Sequence, residues 1–475
     1  MVKKPHIVIL GAGPAGLGAA YQVARKNLAS VTVVEKEEDV GGIAGSFDIC
    51  GVGVDYGSHR LHPACDPEIM EDLKSLLGGD LMKRPRHGRI RLCNRWIHFP
   101  LKPFNLALGL PFSFSVNTMF DLFRKSLGLK KQTSDTESFA GVLESGLGRT
   151  ICHEFYFPYV RKIWGLPPEE ISPIQAHRRV SANSLKKMLR KILSAVPGFK
   201  QPGSGFFFYP REGFGQIVQA MAKSAFQDGV EIRLRANASS IHLGQPHCIE
   251  LKQNDEVAMI QADYIWSTIP VTTLVQLINP PAPQSVIEAS QNMLYRSMIL
   301  IYLVLEQSQF TEYDAHYFPD PDIPLTRLSE PKNYSGTQNP ENLTVLCAEL
   351  PCFEDDIEWT MTDSELGQVV CDSLKRASIP LIASPKMVVT RRIRHAYPIY
   401  RKGYEAYFNP IDDWLSRINN LLSFGRQGLF AHDNTHHALY MADAVVDCLN
   451  ENGEFDKEKW RDYYRKIFET HVVED

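Results

Sequence analysis

The chain has 475 residues, 44% of them apolar, and a net charge of −4 from 51 basic and 55 acidic side chains. That length gives room for two or three domains or one large two-lobed one, and the small net charge gives no reason to expect a nucleic-acid partner. The nine cysteines are scattered, odd in number and without a C-x-x-C pair, so they read as reduced intracellular thiols, neither a disulfide frame nor a zinc site.

The first predicted elements carry the most information. His6 to Leu10 is a short apolar run of strand type. It leads straight into the turn Gly11-Ala12-Gly13-Pro14-Ala15-Gly16, then a helix-forming stretch from Leu17 to Arg25. Val31 to Val34 is a second strand, ending at Glu35. A dinucleotide site needs this order of parts. Gly11 permits the tight turn, Gly13 lets the backbone approach a pyrophosphate, and Gly16 lets the helix pack on the sheet. Pro14 and Ala15 open the helix, whose N-terminal N–H groups and dipole favour phosphate. Glu35 stands where a carboxylate accepts hydrogen bonds from ribose hydroxyls and repels a 2′-phosphate, which disfavours NADP. The bland alternative is an ordinary strand–helix–strand turn. A five-residue strand at this position also argues against a signal peptide, and no apolar run reaches the ~18–20 residues of a spanning helix.

Further along, residues 1 to about 95 read as strand–helix units, and 101 to 200 as helices broken by prolines. Strands return from Phe206. Gln216 to Phe226 predicts a helix; Val230 to Leu234, Cys248 to Leu251 and Tyr264 to Pro270 predict strands. Met298 to Leu305 predicts another strand, Ser364 to Ala377 a helix, and Gly428 to Cys448 a turn and helix. The returning texture predicts an interleaved α/β fold. A Rossmann-like nucleotide-binding domain takes 1–95, 206–295 and 396–450. A mixed α+β substrate domain takes 96–205 and 296–395, and 451–475 is a helical tail. The cleft would lie between the lobes.

Several segments resemble a known group. Gly11 to Gly16 with Glu35, Val40-Gly41-Gly42, and Asp55-Tyr56-Gly57-Ser58-His59 resemble the flavin amine oxidase and protoporphyrinogen oxidase superfamily. Tyr159 to Gly165, Pro168 to Ser172, Arg178-Arg179 and Tyr209 to Gly215 are similar to UDP-galactopyranose mutases as well. Gly425 to Phe430, continuing through Asn434 and Ala438, resembles a shared flavin-closing motif. There are departures. Ile43 follows Gly41-Gly42 where amine oxidases usually have arginine, and Ser267-Thr268-Ile269-Pro270 stands where mutases typically read Gly-Pro-Ile-Asp. The cysteine motif of covalent flavin attachment is absent.

The resemblance implies non-covalent FAD, contacted by Gly11, Gly13, Pro14, Ala15, Gly16, Glu35, Lys36, Gly42, Ser58, His59, Ala238, Pro270, Gly428, Asn434 and His436. It implies an FAD-dependent oxidoreductase passing a hydride from an organic substrate to flavin N5. The alternative is a redox-neutral mutase or isomerase of a nucleotide sugar. His59, Arg178 and Tyr397 are the catalytic candidates, and Trp164, Arg179 and Tyr400 the pocket candidates. The arginines would hold a diphosphate or lie on an exposed helix face; the tyrosines would line a pocket or fill a core. His432, His436, His437 and Asp433 resemble a metal cluster but fall on the flavin-closing motif, so no metal is expected. Leu185, Met188, Leu189, Ile192 and Leu193 form an apolar stripe with Lys186, Lys187, Arg190 and Lys191 opposite, either a core-facing helix or a membrane-surface one. The expected partner is a small molecule, a nucleotide sugar or a lipid-linked compound among the options. The expected location is cytoplasmic, with peripheral membrane contact left open, as the apolar run Phe99 to Phe114 also suggests.

Overall fold

The strand His6–Leu10 is buried at four of its five positions, as suits a parallel strand covered on both faces. The computed structural model, which describes residues 4–100, 109–126, 137–179, 205–254, 256–471 and 473, places it at the centre of a five-stranded parallel sheet. Ser30–Val34 and then Glu231–Arg233 extend the sheet on one side; Tyr264–Ser267 and Leu421–Ser423 extend it on the other. The helices Pro14–Arg25, Gln216–Gln227 and Thr435–Asp447 cover one face through Leu17, Ile217, Met441 and Val445. Two of them cross closely: a Cβ at Gly18 would lie 3.0 Å from Ala442 Cβ. The other face packs on an antiparallel sheet that includes Ala236–His242, His247–Gln253 and Glu256–Ala262, and on the helix Val271–Leu277.

A second, seven-stranded sheet is built around Tyr295–Leu305 and Thr344–Cys352, both almost wholly buried. Met387–Pro398 flanks one side; Arg327–Ser329, Ala315–Tyr317 and the hairpin Gly88–Leu92/Arg95–Phe99 complete the other. The helix Asp363–Arg376, started by a Thr362/Glu365 capping box, covers one face through Leu366, Val370 and Leu374. The other face meets the hairpin Ser46–Ile49/Val52–Asp55, so the two sheets are joined beside the glycine turn. The helical region 139–179 has its own core around Phe139, Trp164 and Ile171. The helix Lys457–Thr470 returns to the first core through Trp460 and Ile467.

The strand expected to reach Pro270 stops at Ser267, and Pro270 instead caps the helix Val271–Leu277. Proline lacks the N–H a central strand needs. The basic stripe Leu185 to Leu193 and the side chain of Arg179 lie outside the described residues. Among the described residues no helix is long and apolar enough to cross a membrane.

Candidate active site

A cavity of about 1010 Å³ runs between the lobes, from the glycine turn and Glu35 to Ser58, His59, Tyr317 and Arg327. That is the upper end of the roughly 300–1,000 Å³ usual for ligand clefts, so one end can take a dinucleotide and the other a substrate.

The turn is shaped by contact. Gly11 has φ +101°, and a Cβ there would sit 2.6 Å from Thr268 Oγ1. Gly13 is different: a Cβ there meets nothing within 4 Å, because the position opens onto the cleft. Gly13 is also the N-cap of the helix Pro14–Arg25 and offers no side-chain cap. The first-turn N–H groups are left for an anion. Pro14, Ala15 and Gly42 share this wall. The empty space over Gly13 and the uncapped helix end fit a pyrophosphate.

Glu35 is buried, yet its carboxylate forms part of the cleft wall. Oε2 accepts from the Ala12 N–H at 2.8 Å and Oε1 from the Glu37 N–H at 3.1 Å. Two backbone donors thus fix its orientation. Glu35→Gln is expected to weaken FAD binding roughly ten- to a hundredfold, since a hydrogen bond to a charged group is worth about 1.5–3 kcal/mol; equilibrium titration of the apoprotein checks this. Lys36, Ala238 and Pro270 line the same end of the cleft.

At the other end, Ser58 donates its N–H to Glu349 Oε1 at 2.9 Å, and its hydroxyl accepts from Tyr334 at 3.1 Å. His59 stacks on Phe214 with ring centres 5.3 Å apart, and its Nε2 lies 2.9 Å from the Tyr56 carbonyl. A carbonyl only accepts, so Nε2 carries the proton. Burial lowers the His59 pKa, with the Asp55 charge opposing. The ring is therefore neutral near pH 7, and Nδ1 is left as an acceptor. Asp55 holds the neighbouring backbone: it accepts from Ser46 Oγ, the Phe214 N–H and Tyr209 OH. Asn434 lines the cleft and caps the helix Thr435–Asp447, donating its N–H to His437 Nδ1 at 3.2 Å.

Three expected cofactor residues lie behind this wall. A Cβ at Gly16 would be 2.0 Å from Gly11 O, and one at Gly428 would be 2.8 Å from Ser423 Oγ. Both serve close packing. His436 is buried among His62 and His437.

The substrate-side expectations need more correction. Arg178 is buried, donates to Tyr400 OH at 2.8 Å, and packs over the rings of Tyr400 and Phe468. Tyr400 is buried too; its hydroxyl donates to Phe430 O at 2.9 Å and accepts from the His432 N–H. Trp164 is 1% exposed and packs edge-on against Phe139 and His432. These three residues are core, not cleft. Tyr397 stacks on His432 at 5.1 Å, with the Arg426 guanidinium 5.4 Å from its ring. Arg426 lines the cleft and Tyr397 sits behind it.

The structure brings up other groups instead. Arg327 makes a bidentate pair with Glu349, both bonds 2.9 Å. Arg60 pairs with Asp314 at 3.2 Å and donates to Tyr317 OH and Tyr334 OH. Arg60, Tyr317 and Arg327 line the cleft. One sequence signal pointed here: Glu349 is the sole charge in the apolar strand Thr344–Cys352.

The suspected histidine cluster is also rearranged. His471, 38 residues along the chain, lies 3.1 Å from Asp433 Oδ2, while His432 turns to Tyr397 and Trp164. Asp433, His437 and His471 put three ligand-capable atoms within 4.8 Å of one another, although His437 Nδ1 already accepts the Asn434 N–H. Burial, reinforced by neighbouring cationic forms, lowers the pKa of His436 to about 3; burial also lowers His437 to about 4, with Asp433 opposing. In the unfolded chain both titrate near ~6.5. Between these values the unfolded state binds more protons, so stability is present at neutral pH and is lost as pH falls from ~6.5 toward 4. Urea midpoints across that range check this, and His437→Gln should flatten the slope.

A family model for flavin-containing amine oxidoreductases matches residues 14–451. A phytoene desaturase from Fusarium fujikuroi is 24% identical over 280 residues, covering 51% of this chain; the chain spans under half, 45%, of that relative's length. A reduced UDP-galactopyranose mutase shares the fold with a TM-score of 0.82 at 21% identity, over 99% of this chain and 100% of that one. Cyclohexylamine oxidase from Brevibacterium oxydans does so with a TM-score of 0.65 at 18% identity, over 94% and 99%. The glycine turn, the fixed Glu35 and the match from residue 14 to 451 lead to one conclusion: the chain belongs to the flavin-containing amine oxidoreductase family, and its cofactor is FAD.

Proposed function

We propose that the protein is an oxidoreductase that binds FAD non-covalently and oxidises a small organic substrate. The observation that carries this reading is the placement of Arg178. The redox-neutral alternative has Arg178 or Arg179 hold a diphosphate; the Arg178 guanidinium is committed to Tyr400 inside the core, and the Arg179 side chain lies outside the described residues. Bound FAD supplies the hydride acceptor. The chain's own residues hold, orient and shield. The helix end at Gly13 and the Glu35 carboxylate hold the nucleotide half. His59 Nδ1 would accept a proton from a substrate N–H or O–H, its tautomer fixed by the Tyr56 carbonyl. The Arg327–Glu349 and Arg60–Asp314 pairs keep the wall rigid with little uncompensated charge.

A second reading has its own support. Arg391 and Arg392 line the cleft and bond to carbonyl or hydroxyl oxygens, with Arg391 stacked over Phe47. Their positive charge suits a nucleotide-sugar diphosphate.

Anaerobic mixing separates the two. An oxidoreductase bleaches its flavin with substrate alone and recovers colour with an acceptor; amines, porphyrinogens and nucleotide sugars form the screen. Turnover of a UDP-sugar by dithionite-reduced protein only, without net electron consumption, overturns the proposal. Arg178→Ala is expected to lower stability by about 1–3 kcal/mol, from the lost charged hydrogen bond to Tyr400 and the lost packing on Tyr400 and Phe468, and to leave KM within about twofold. A tenfold rise in KM for a nucleotide sugar favours the second reading. Acid precipitation should release the yellow chromophore.

A further inference from the structure

The helix Phe112–Ser126 wears its apolar side outward. Phe112 is 85% exposed, Met119 71%, Phe123 59%, Phe120 53% and Val116 45%. Positions 112, 116, 119, 120 and 123 follow helical spacing, so these side chains form one stripe along one face. The helix is held from the opposite side. Asp121 accepts the Thr150 N–H at 2.7 Å and packs against Gly148. Phe114 joins the cluster of Ile90, Leu92 and Ile97. Isolated exposed apolar residues are normal; five on one stripe, four of them Phe or Met, are not.

We infer that this face docks on an anionic lipid bilayer. The charge around it selects the occupant. Among the described side chains of this helix, Arg124 is exposed and Asp121 is the one acid. That acid is turned inward to Thr150. Arg124 lies over the Phe120 ring at 4.6 Å, and Arg149 is exposed on the adjoining turn. An apolar stripe edged by cations suits acyl chains below an anionic headgroup layer. A second copy of this chain fits poorly, because a two-fold contact would bring the same cations together. The apolar cluster beneath the helix also contains Tyr317, a residue of the cleft wall. Docking therefore acts on the lobe that forms the substrate end.

The test uses the full-length FAD-loaded protein and sedimentation with vesicles. Phosphatidylcholine vesicles with about 30% phosphatidylglycerol should carry the protein down, pure phosphatidylcholine much less, and added salt should release part of it. Phe120→Ser with Phe123→Ser should cut binding about tenfold or more while flavin absorbance and thermal midpoint stay unchanged. Arg124→Glu should weaken binding to the anionic vesicles alone. If the double variant does not fold, Phe112→Ser, at the most exposed site, takes its place. Wild-type protein that stays in the supernatant with anionic vesicles overturns the inference. So does a variant that binds equally well, or a dimer in light scattering that the double variant breaks.

Discussion

A Gly13→Val protein is expected to fold and to be colourless. Gly13 has φ −78° and ψ −177°, extended backbone that valine adopts readily. A Cβ there touches nothing within 4 Å, so the folded chain has room for the side chain. That room is where a pyrophosphate must come against the backbone. A branched side chain there separates the phosphates from the helix N–H groups. Two charge-assisted bonds at about 1.5–3 kcal/mol each put the expected loss of FAD affinity beyond a hundredfold. Thermal denaturation of the apoprotein beside flavin titration checks both halves. Gly16→Ala is the control of opposite kind: its Cβ would lie 2.0 Å from Gly11 O, so the turn itself fails. A folded Gly13→Val protein with full FAD content would refute the placement of the cofactor.

Glu349→Ala is expected to lower the unfolding free energy by about 3–5 kcal/mol, the range for breaking a buried ion pair from one side. Glu349 satisfies three donors: two on Arg327 and the Ser58 N–H. Removing it leaves the half-buried Arg327 guanidinium without its counter-charge and frees the loop that carries His59. Glu349→Gln keeps acceptor capacity and should lose less. Urea denaturation measures the difference, and a change under 1 kcal/mol would show that the pair contributes little to this wall. Arg327→Met in the Glu349→Ala background should recover part of the loss, because no charge is then left alone.

The nucleotide half was legible because its chemistry is local. Strand, glycine turn, helix and acid fall within thirty-five residues, and each position follows from backbone geometry that the residue type reveals. The substrate half was not. Arg178 reads equally well as a phosphate ligand or as part of an exposed helix face; it is instead a buried donor whose partner Tyr400 is 222 residues away. Nothing in the spacing says which face of the helix Pro173–Arg179 meets the cleft. Trp164 is a pocket candidate through the resemblance alone, yet it packs on Phe139 and His432 in a core of its own. The Arg60–Asp314 and Arg327–Glu349 pairs join elements far apart in sequence, and only the pairing of strands brings them together. Glu349 alone left a trace, as a charge where the strand pattern wanted an apolar residue.

The order of strands in the central sheet bears on how the protein is made. About 390 residues separate Val34 from Leu421. At roughly 5–20 residues per second, the edge strand leaves the ribosome roughly 20–80 s after the glycine turn does. The helix Thr435–Asp447, which packs on the first helix at Gly18, follows later still. The nascent chain therefore carries an unfinished cradle until the segment from residue 421 to 447 has been made.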